Sequence, residues 1–284
     1  MPRWIVLALT AALAVASACS GDDGADGTTA TTEPRPPGYV AMGDSFAAGV
    51  GAQPYDAISG DCERSTKSWP VMLDELVDSI DLVDFRACGG AKVPHLLGPR
   101  GRLDPQIPAA DEADDEVGLV TVTIGGNDAG FSELVLRCVI VDCSGVPESD
   151  DFQDKLEALT DELADEVYPA VRAAYPRARI VHVGYPRLTP APGEGADGCR
   201  WLSAEEQTAT ASIVEQIGAA IIDAVDATDV DDVAFLDVFE ALDGHELCTD
   251  DPWVNEVITL SSGRAHPTAE GYRAIAEMVA AELD

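Results

Sequence analysis

Apolar runs rich in β-branched residues recur along the chain at 39–42, 81–85, 118–124, 179–183 and 233–238, and each reads as a strand. Between them, apolar positions at helical spacing predict helices over roughly 69–80, 151–174 and 202–227, with a last one at 268–283. Strands that alternate with helices build βαβ units. The pattern therefore predicts a mainly parallel sheet covered by helices on both faces. Residues 38–284 suit one domain of the larger α/β type, without internal repeat or second linker. The stretch 89–117, rich in Gly and Pro, predicts mostly surface loop, and its acid run Asp111–Glu116 reads as a solvated face.

Ahead of this domain the pattern changes twice. Arg3 precedes an apolar run from Trp4 to Ala18 that falls short of the roughly 20 residues of a membrane span and suits a secretory leader, residues 1–18. It ends in Ala16-Ser17-Ala18-Cys19, which resembles a bacterial lipobox, so Cys19 is expected to carry lipid after cleavage. Residues 19–37, acidic and rich in Thr and Pro without apolar periodicity, predict a flexible linker. Asp22 to Glu33 loosely imitates a calcium loop, but Gly24 stands where the third ligand belongs and no helices flank it; a tether is the simpler reading. Neither a metal nor a cofactor is expected.

Seven cysteines are present. With Cys19 lipidated, six remain, an even number suited to three disulfides outside the cytosol. Six cysteines allow 15 pairings. Sequence-adjacent pairing (Cys62–Cys88, Cys138–Cys143, Cys199–Cys248) is preferred because each bridge would clip one local loop. Zinc is the rival, but no Cys-x-x-Cys pair exists. The formal net charge of −35, with lysine only at 67, 92 and 155, opposes binding to nucleic acid or anionic lipid surfaces. The expectation is an acidic protein, secreted or held at the surface of a bacterium, monomeric, and touching membrane only through Cys19.

The chemistry begins at Gly43-Asp44-Ser45-Phe46, which follows the first strand pattern and sets a serine hydroxyl at the edge where open α/β sheets gather catalytic groups. By itself the tripeptide is an ordinary turn. Two distant segments change its meaning: Gly125-Gly126-Asn127-Asp128 after the third strand pattern, and His266-Pro267 before the last helix. A serine hydroxyl attacks only when a base accepts its proton, and imidazole suits that role near neutral pH. Of four histidines, His182 lies inside a strand pattern and reads as structural. His95 sits in a loop that reaches either substrate or plain solvent. His245, beside Cys248, competes with His266, whose proline-constrained loop makes it the preferred base. Ester attack builds charge on the carbonyl oxygen. The Ser45 amide, the Gly90 amide and the Asn127 side chain are the candidate donors to it.

Gly43-Asp44-Ser45, Gly90, Gly125-Gly126-Asn127-Asp128 and His266-Pro267 together resemble the four signature blocks of the SGNH (GDSL) hydrolase superfamily. Cys62-Glu63-Arg64-Ser65-Thr66-Lys67-Ser68-Trp69-Pro70 and Gly244-His245-Glu246-Leu247-Cys248 are similar to its secreted actinobacterial lipase/esterase branch, across residues 38–284. The resemblance implies a flavodoxin-like three-layer α/β/α fold with strand order 2-1-3-4-5 and local disulfides. It implies Ser45 as nucleophile, His266 as base, and Ser45, Gly90 and Asn127 as oxyanion hole. It also places His245 in a recurring Cys-containing motif away from catalysis. One position departs: the superfamily carries Asp three residues before the histidine, where this chain has Gly263. Branch members that work as Ser–His dyads imply a main-chain carbonyl near Gly263 or Arg264 as the partner of His266. The expected activity is hydrolysis of an ester or lipid substrate. Deacetylation of glycans is the second reading, and a silent surface-binding protein on the same fold is the third.

Overall fold

The computed structural model describes residues 37–138, 140–190, 199, 202–258 and 261–283. The expected leader, Cys19 and all of the expected linker but Pro37 lie outside these residues. Strands β1 (Gly38–Gly43), β2 (Asp81–Phe85), β3 (Val117–Thr123), β4 (Arg179–Val183) and β5 (Val233–Leu236) pair in parallel in the order β2-β1-β3-β4-β5. Helices are α1 (Ser45–Ala48), α2 (Trp69–Leu76), α3 (Val93–Leu97), α4 (Phe131–Cys138), α5 (Asp150–Glu162), α6 (Tyr168–Ala174), α7 (Ala204–Ala227) and α8 (Ala269–Leu283). The fold is the flavodoxin-like α/β/α arrangement that the sequence pattern and the resemblance lead one to expect.

The two-residue period of the strands sorts their side chains into two cores. Tyr39, Ala41, Leu119, Val181 and Val183 meet Trp69 and Leu73 of α2 and Tyr272, Ile275 and Val279 of α8. Val40, Met42, Val120, Val122 and Ile180 point the other way, toward Phe152 and Leu159 of α5, Val171 of α6 and Ile213 and Ile217 of α7. Because β1 and β3 are covered on both sides, their sequences read as continuous apolar runs. Each fully buried large side chain contributes about 1.5–3 kcal/mol relative to exposure.

The expected single helix over 151–174 consists of α5 and α6 joined by one wider helical turn at Leu163–Val167, so the chain keeps its direction there. Helix α2 ends at Leu76, earlier than expected. Val77 takes an extended conformation, and Asp74 Oδ1 accepts the Leu82 amide at 2.6 Å to start β2. Three short helices, α1, α3 and α4, do not announce themselves by apolar period because none spans three turns. Helix α1 depends on its ends: the Asp44 carboxylate caps the Phe46 amide, and Gly49 closes it in the left-handed region at φ 80°. The 89–117 stretch is less of a surface loop than its composition predicts, since Val93, Leu96 and Ile107 reach the core. Its acid run 111–116 is solvent-exposed, as expected.

All three disulfides pair sequence neighbours: Cys62–Cys88, Cys138–Cys143 and Cys199–Cys248. The last two pack together with Leu202 in one small cluster. The first sits at the carboxyl edge of the sheet, where the Cys88 amide donates to the Gly43 carbonyl at 3.0 Å.

Candidate active site

Strand β1 delivers the serine. Gly43 closes the strand at φ 135°, and a Cβ there would overlap the Thr123 carbonyl, so only glycine lets β1 and β3 approach this closely. The buried Gln106 clamps Gly43 from both sides. Its Oε1 accepts the Gly43 amide at 2.7 Å, and its Nε2 donates to the Gly43 carbonyl at 2.8 Å. Sequence reasoning passed over Gln106, since a glutamine in a polar loop carries no signal of its own.

Asp44 is buried, and its two oxygens are both used. Oδ1 accepts the Phe46 amide at 2.9 Å, and Oδ2 accepts the Tyr185 hydroxyl at 2.7 Å. The same hydroxyl accepts the Gly126 amide at 3.0 Å, which ties the Asp44 turn to the Gly125-Gly126-Asn127 turn. Burial pushes the Asp44 carboxyl up to about 7, against the lowering effect of the bonds from Tyr185 and Phe46. Burial, together with the neighbouring Asp44, holds the Tyr185 phenol well above its ordinary range.

Ser45 opens α1, and its Oγ lies 2.7 Å from His266 Nε2. On the far side of the ring, Nδ1 donates to the Arg264 carbonyl at 2.8 Å. Desolvation lowers the His266 pKa to about 4, with the Arg264 charge acting in the same direction. The imidazole is therefore neutral near pH 7 with Nε2 unprotonated. The loop that carries it is tightly held. Asn255 donates through Nδ2 to the His266 carbonyl at 3.0 Å, while its backbone exchanges bonds with Ala265 and His266. Ala265 is kept at φ 54°, a conformation unfavourable for alanine that such a framework over-determines. Phe46 packs between the ring of His266 and that of Tyr185, with centroids at 5.0 and 5.2 Å.

Gly263 cannot be the aspartate that the resemblance leads one to expect. A Cβ there would stand 2.7 Å from the Gly51 Cα, because the two backbones cross at this point. Near-contact of main chains has taken the place of a carboxylate.

Ser45, Gly90, Asn127 and His266 line one cleft of about 260 Å3, whose wall is otherwise largely apolar through Phe46, Val50, Phe131, Val135 and Val257. Asn127 Nδ2 donates to the Ala91 carbonyl at 2.9 Å, and Asp128 accepts the Val93 amide at 3.1 Å. These two bonds pin the Gly90 loop against Asn127. Burial raises the Asp128 carboxyl to about 6.

The other histidines stand apart from this cleft. His182 is fully buried between the Tyr168 hydroxyl at 3.0 Å and the Ile124 carbonyl at 3.1 Å. His95 lies on α3, where Nδ1 accepts the Lys92 amide. His245 stacks on Trp253 at 3.6 Å and donates to the Asp251 carbonyl.

The sequence pattern of the GDSL-like Lipase/Acylhydrolase family matches residues 41–274. Lipase 1 of Streptomyces coelicolor is 35% identical over 239 residues, 82% of each chain. Among solved structures, an extracellular lipase from Streptomyces rimosus superposes with TM-score 0.72 at 31% identity, covering 87% of this chain and 99% of its own. A phospholipase A1 from Streptomyces albidoflavus gives TM-score 0.70 at 32% identity, with the same coverage of both chains.

The crossing at Gly263 generates a prediction. Gly263→Asp should not add a third catalytic group. It should lower the melting temperature and displace the His266 loop, with at least a tenfold loss of kcat on a short-chain p-nitrophenyl ester. A Gly263→Asp variant as stable and active as the parent would show that the two backbones have room to part.

Proposed function

The chain belongs to the GDSL-like Lipase/Acylhydrolase family, and we propose that this carboxylester hydrolase acts through a Ser45–His266 dyad and an acyl-serine intermediate. The observation that carries the reading is the continuous line Ser45 Oγ to His266 Nε2 to Arg264 carbonyl, at 2.7 and 2.8 Å, within one apolar cleft. Ser45 attacks the ester carbonyl as Nε2 takes its proton. The Nδ1–H bond to the Arg264 carbonyl fixes the tautomer in which Nε2 is able to do so. The alkoxide leaves with the proton that the imidazolium returns. Water then repeats the sequence on the acyl-serine and releases the carboxylic acid.

A carbonyl carries no net charge, so it stabilises the imidazolium less than a carboxylate would. It still orients the ring. The Ser45 amide, the Gly90 amide and the Asn127 side chain are the donors we assign to the oxyanion. Asp44 and Tyr185 hold these donors in register without touching the reacting atoms.

We further propose that the protein is exported, with residues 1–18 as leader and Cys19 as the lipidated residue. The three disulfides and the net charge of −35 support an extracytosolic setting. Cys19→Ala should move the protein from the membrane fraction of its host to the medium. A parent protein already found wholly in the medium would remove the anchor.

Ser45→Ala should abolish hydrolysis of p-nitrophenyl acetate, octanoate and palmitate alike, and a fluorophosphonate probe should label only the parent. Asn127→Ala should lower kcat roughly 10²–10³-fold, as loss of one oxyanion donor does elsewhere. A change confined to KM would make Asn127 a binding residue instead. An acetylated glycan added to the panel decides whether sugar esters are also substrates.

The depressed pKa of His266 sets the acid limb. The reactive form is the neutral ring, and it is lost as pH falls through about 4 rather than through the ordinary 6.5. kcat/KM should therefore be retained at pH 5. The ring-proton NMR signal that disappears in His266→Ala should titrate near 4. A midpoint at or above 6.5 for that signal would contradict the assignment.

A further inference from the structure

Of the donors assigned to the oxyanion, the Gly90 amide is the one whose direction the local chain leaves open. Cys88-Gly89-Gly90-Ala91 forms a β-turn closed by the Ala91 amide, which donates to the Cys88 carbonyl at 3.0 Å. Gly90 stands at φ 70° while Gly89 lies outside the left-handed region, the pattern of a type II turn. Types I and II differ by roughly half a turn of the middle peptide, here Gly89–Gly90, and the closing bond is common to both. With glycine on each side of that peptide, no Cβ opposes either form. The Gly89 amide is engaged by the Cys62 carbonyl at 2.9 Å, whereas among the described residues no protein group accepts the Gly90 amide.

Arg100 settles the orientation. Its Nη1 donates to the Gly89 carbonyl at 2.6 Å and lies 3.6 Å from Cys88 Sγ. A Cβ on Gly90 would stand 3.3 Å from Nη2, so the guanidinium packs against the turn. Arg100 does not line the catalytic cleft; it lines a second cavity of about 280 Å3, together with Arg64, Arg86 and His95. Its own backbone is anchored by two bonds of 3.0 Å exchanged with Leu103. Among the described residues no carboxylate lies within 4.0 Å of the guanidinium, so the Gly89 carbonyl receives a donor whose charge no ion pair offsets.

We propose that Arg100 is a positioning residue for ester hydrolysis: by holding the Gly89 carbonyl it keeps the Gly90 amide presented to the oxyanion and strengthens that amide as a donor. The proposal rests on the Ser45–His266 reading, with Gly90 among its donors. The Gly89 carbonyl and the Gly90 N–H belong to one trans peptide and point in opposite directions. A charged donor on the carbonyl therefore fixes the N–H away from Arg100, on the side where Gly89 and Gly90 line the cleft. The same bond draws electron density from the amide, and hydrogen bonds linked in this way reinforce one another.

The test compares the parent, Arg100→Gln and Arg100→Lys on p-nitrophenyl acetate and on an alkyl trifluoromethyl ketone. The ketone adds to Ser45 and places an anionic oxygen where the tetrahedral intermediate carries one. In Arg100→Gln, kcat and kcat/KM should fall together by about tenfold to hundredfold, less than the roughly 10²–10³ for outright loss of a donor. Affinity for the ketone should weaken by the same factor, a correspondence that a merely structural role would not produce. Arg100→Lys keeps a cation but not the planar fork and should fall in between, with a loss of at least about threefold. A loss confined to KM, a kcat in Arg100→Gln within twofold of the parent, or a lowered kcat with unchanged ketone affinity overturns the role of Arg100 and leaves the dyad standing. If Arg100→Gln does not fold, as judged by its melting curve, Arg100→Lys decides on the same two readouts, and a loss below threefold or one not mirrored by the ketone overturns the proposal. A parent whose Ser45 takes up neither the ketone nor a fluorophosphonate overturns both readings.

Discussion

A carboxylate buried at the end of the first strand is the tie on which the site depends. Asp44 is 1% exposed, and it accepts both the Phe46 amide at the start of α1 and the Tyr185 hydroxyl that also holds Gly126. Three stretches far apart in the chain meet through this group. A buried carboxyl resists ionisation, and the upward push on its pKa measures that resistance. Removing a partner from such a group leaves a buried polar atom unsatisfied, at about 1–3 kcal/mol and more where it is charged. The same arrangement that ties the Ser45 turn to the Gly125-Gly126-Asn127 turn is thus intolerant of partial dismantling.

The histidine side of the cleft is organised by backbone rather than by charge. Gly51 and Gly263 press together, Ala265 adopts a strained conformation, and Asn255 binds the carbonyls around His266. With no room for a side chain at 263, the Arg264 carbonyl receives Nδ1. The orientation of the imidazole is built into the loop, and desolvation keeps the ring neutral. An uncharged partner gives the imidazolium less stabilisation but also leaves no second ionisable group to titrate against it. The main chain of Arg264 thus sets the orientation of the His266 ring.

The disulfides brace loops rather than the sheet. Cys62–Cys88 joins the loop that carries Glu63 to the end of β2, immediately before the turn that carries Gly90. Cys138–Cys143 follows α4, whose Phe131 and Val135 form part of the apolar wall. Loops of this kind pack few apolar groups of their own. Covalent closure lowers the entropy they recover on unfolding, by more for the longer path closed by Cys62–Cys88 than for the short one closed by Cys138–Cys143.

Much of this was legible along the chain. Continuous apolar runs at 39–42, 118–124 and 179–183 betray strands buried on both faces, and their alternation with helical patterns specifies a parallel sheet. Gly-Asp-Ser, Gly-Gly-Asn-Asp and His-Pro mark the ends of three elements, so the residues that line the cleft were readable as motifs. The pairing of the cysteines was readable too, because each bridge joins cysteines that are consecutive along the chain. Other features depend on groups that come together only when the sheet closes. Gln106 and Tyr185 are ordinary residues until β1 and β3 bring Gly43 and Gly126 against them. Helices α1, α3 and α4 are too short for a period and exist through caps and tertiary contacts. The partner of His266 is a main-chain atom, which every residue possesses and no sequence pattern singles out. Local preference and periodicity reside in the chain itself, whereas a backbone crossing, a buried hydroxyl bridge and a shared cleft are properties of distances, which only the folded structure fixes.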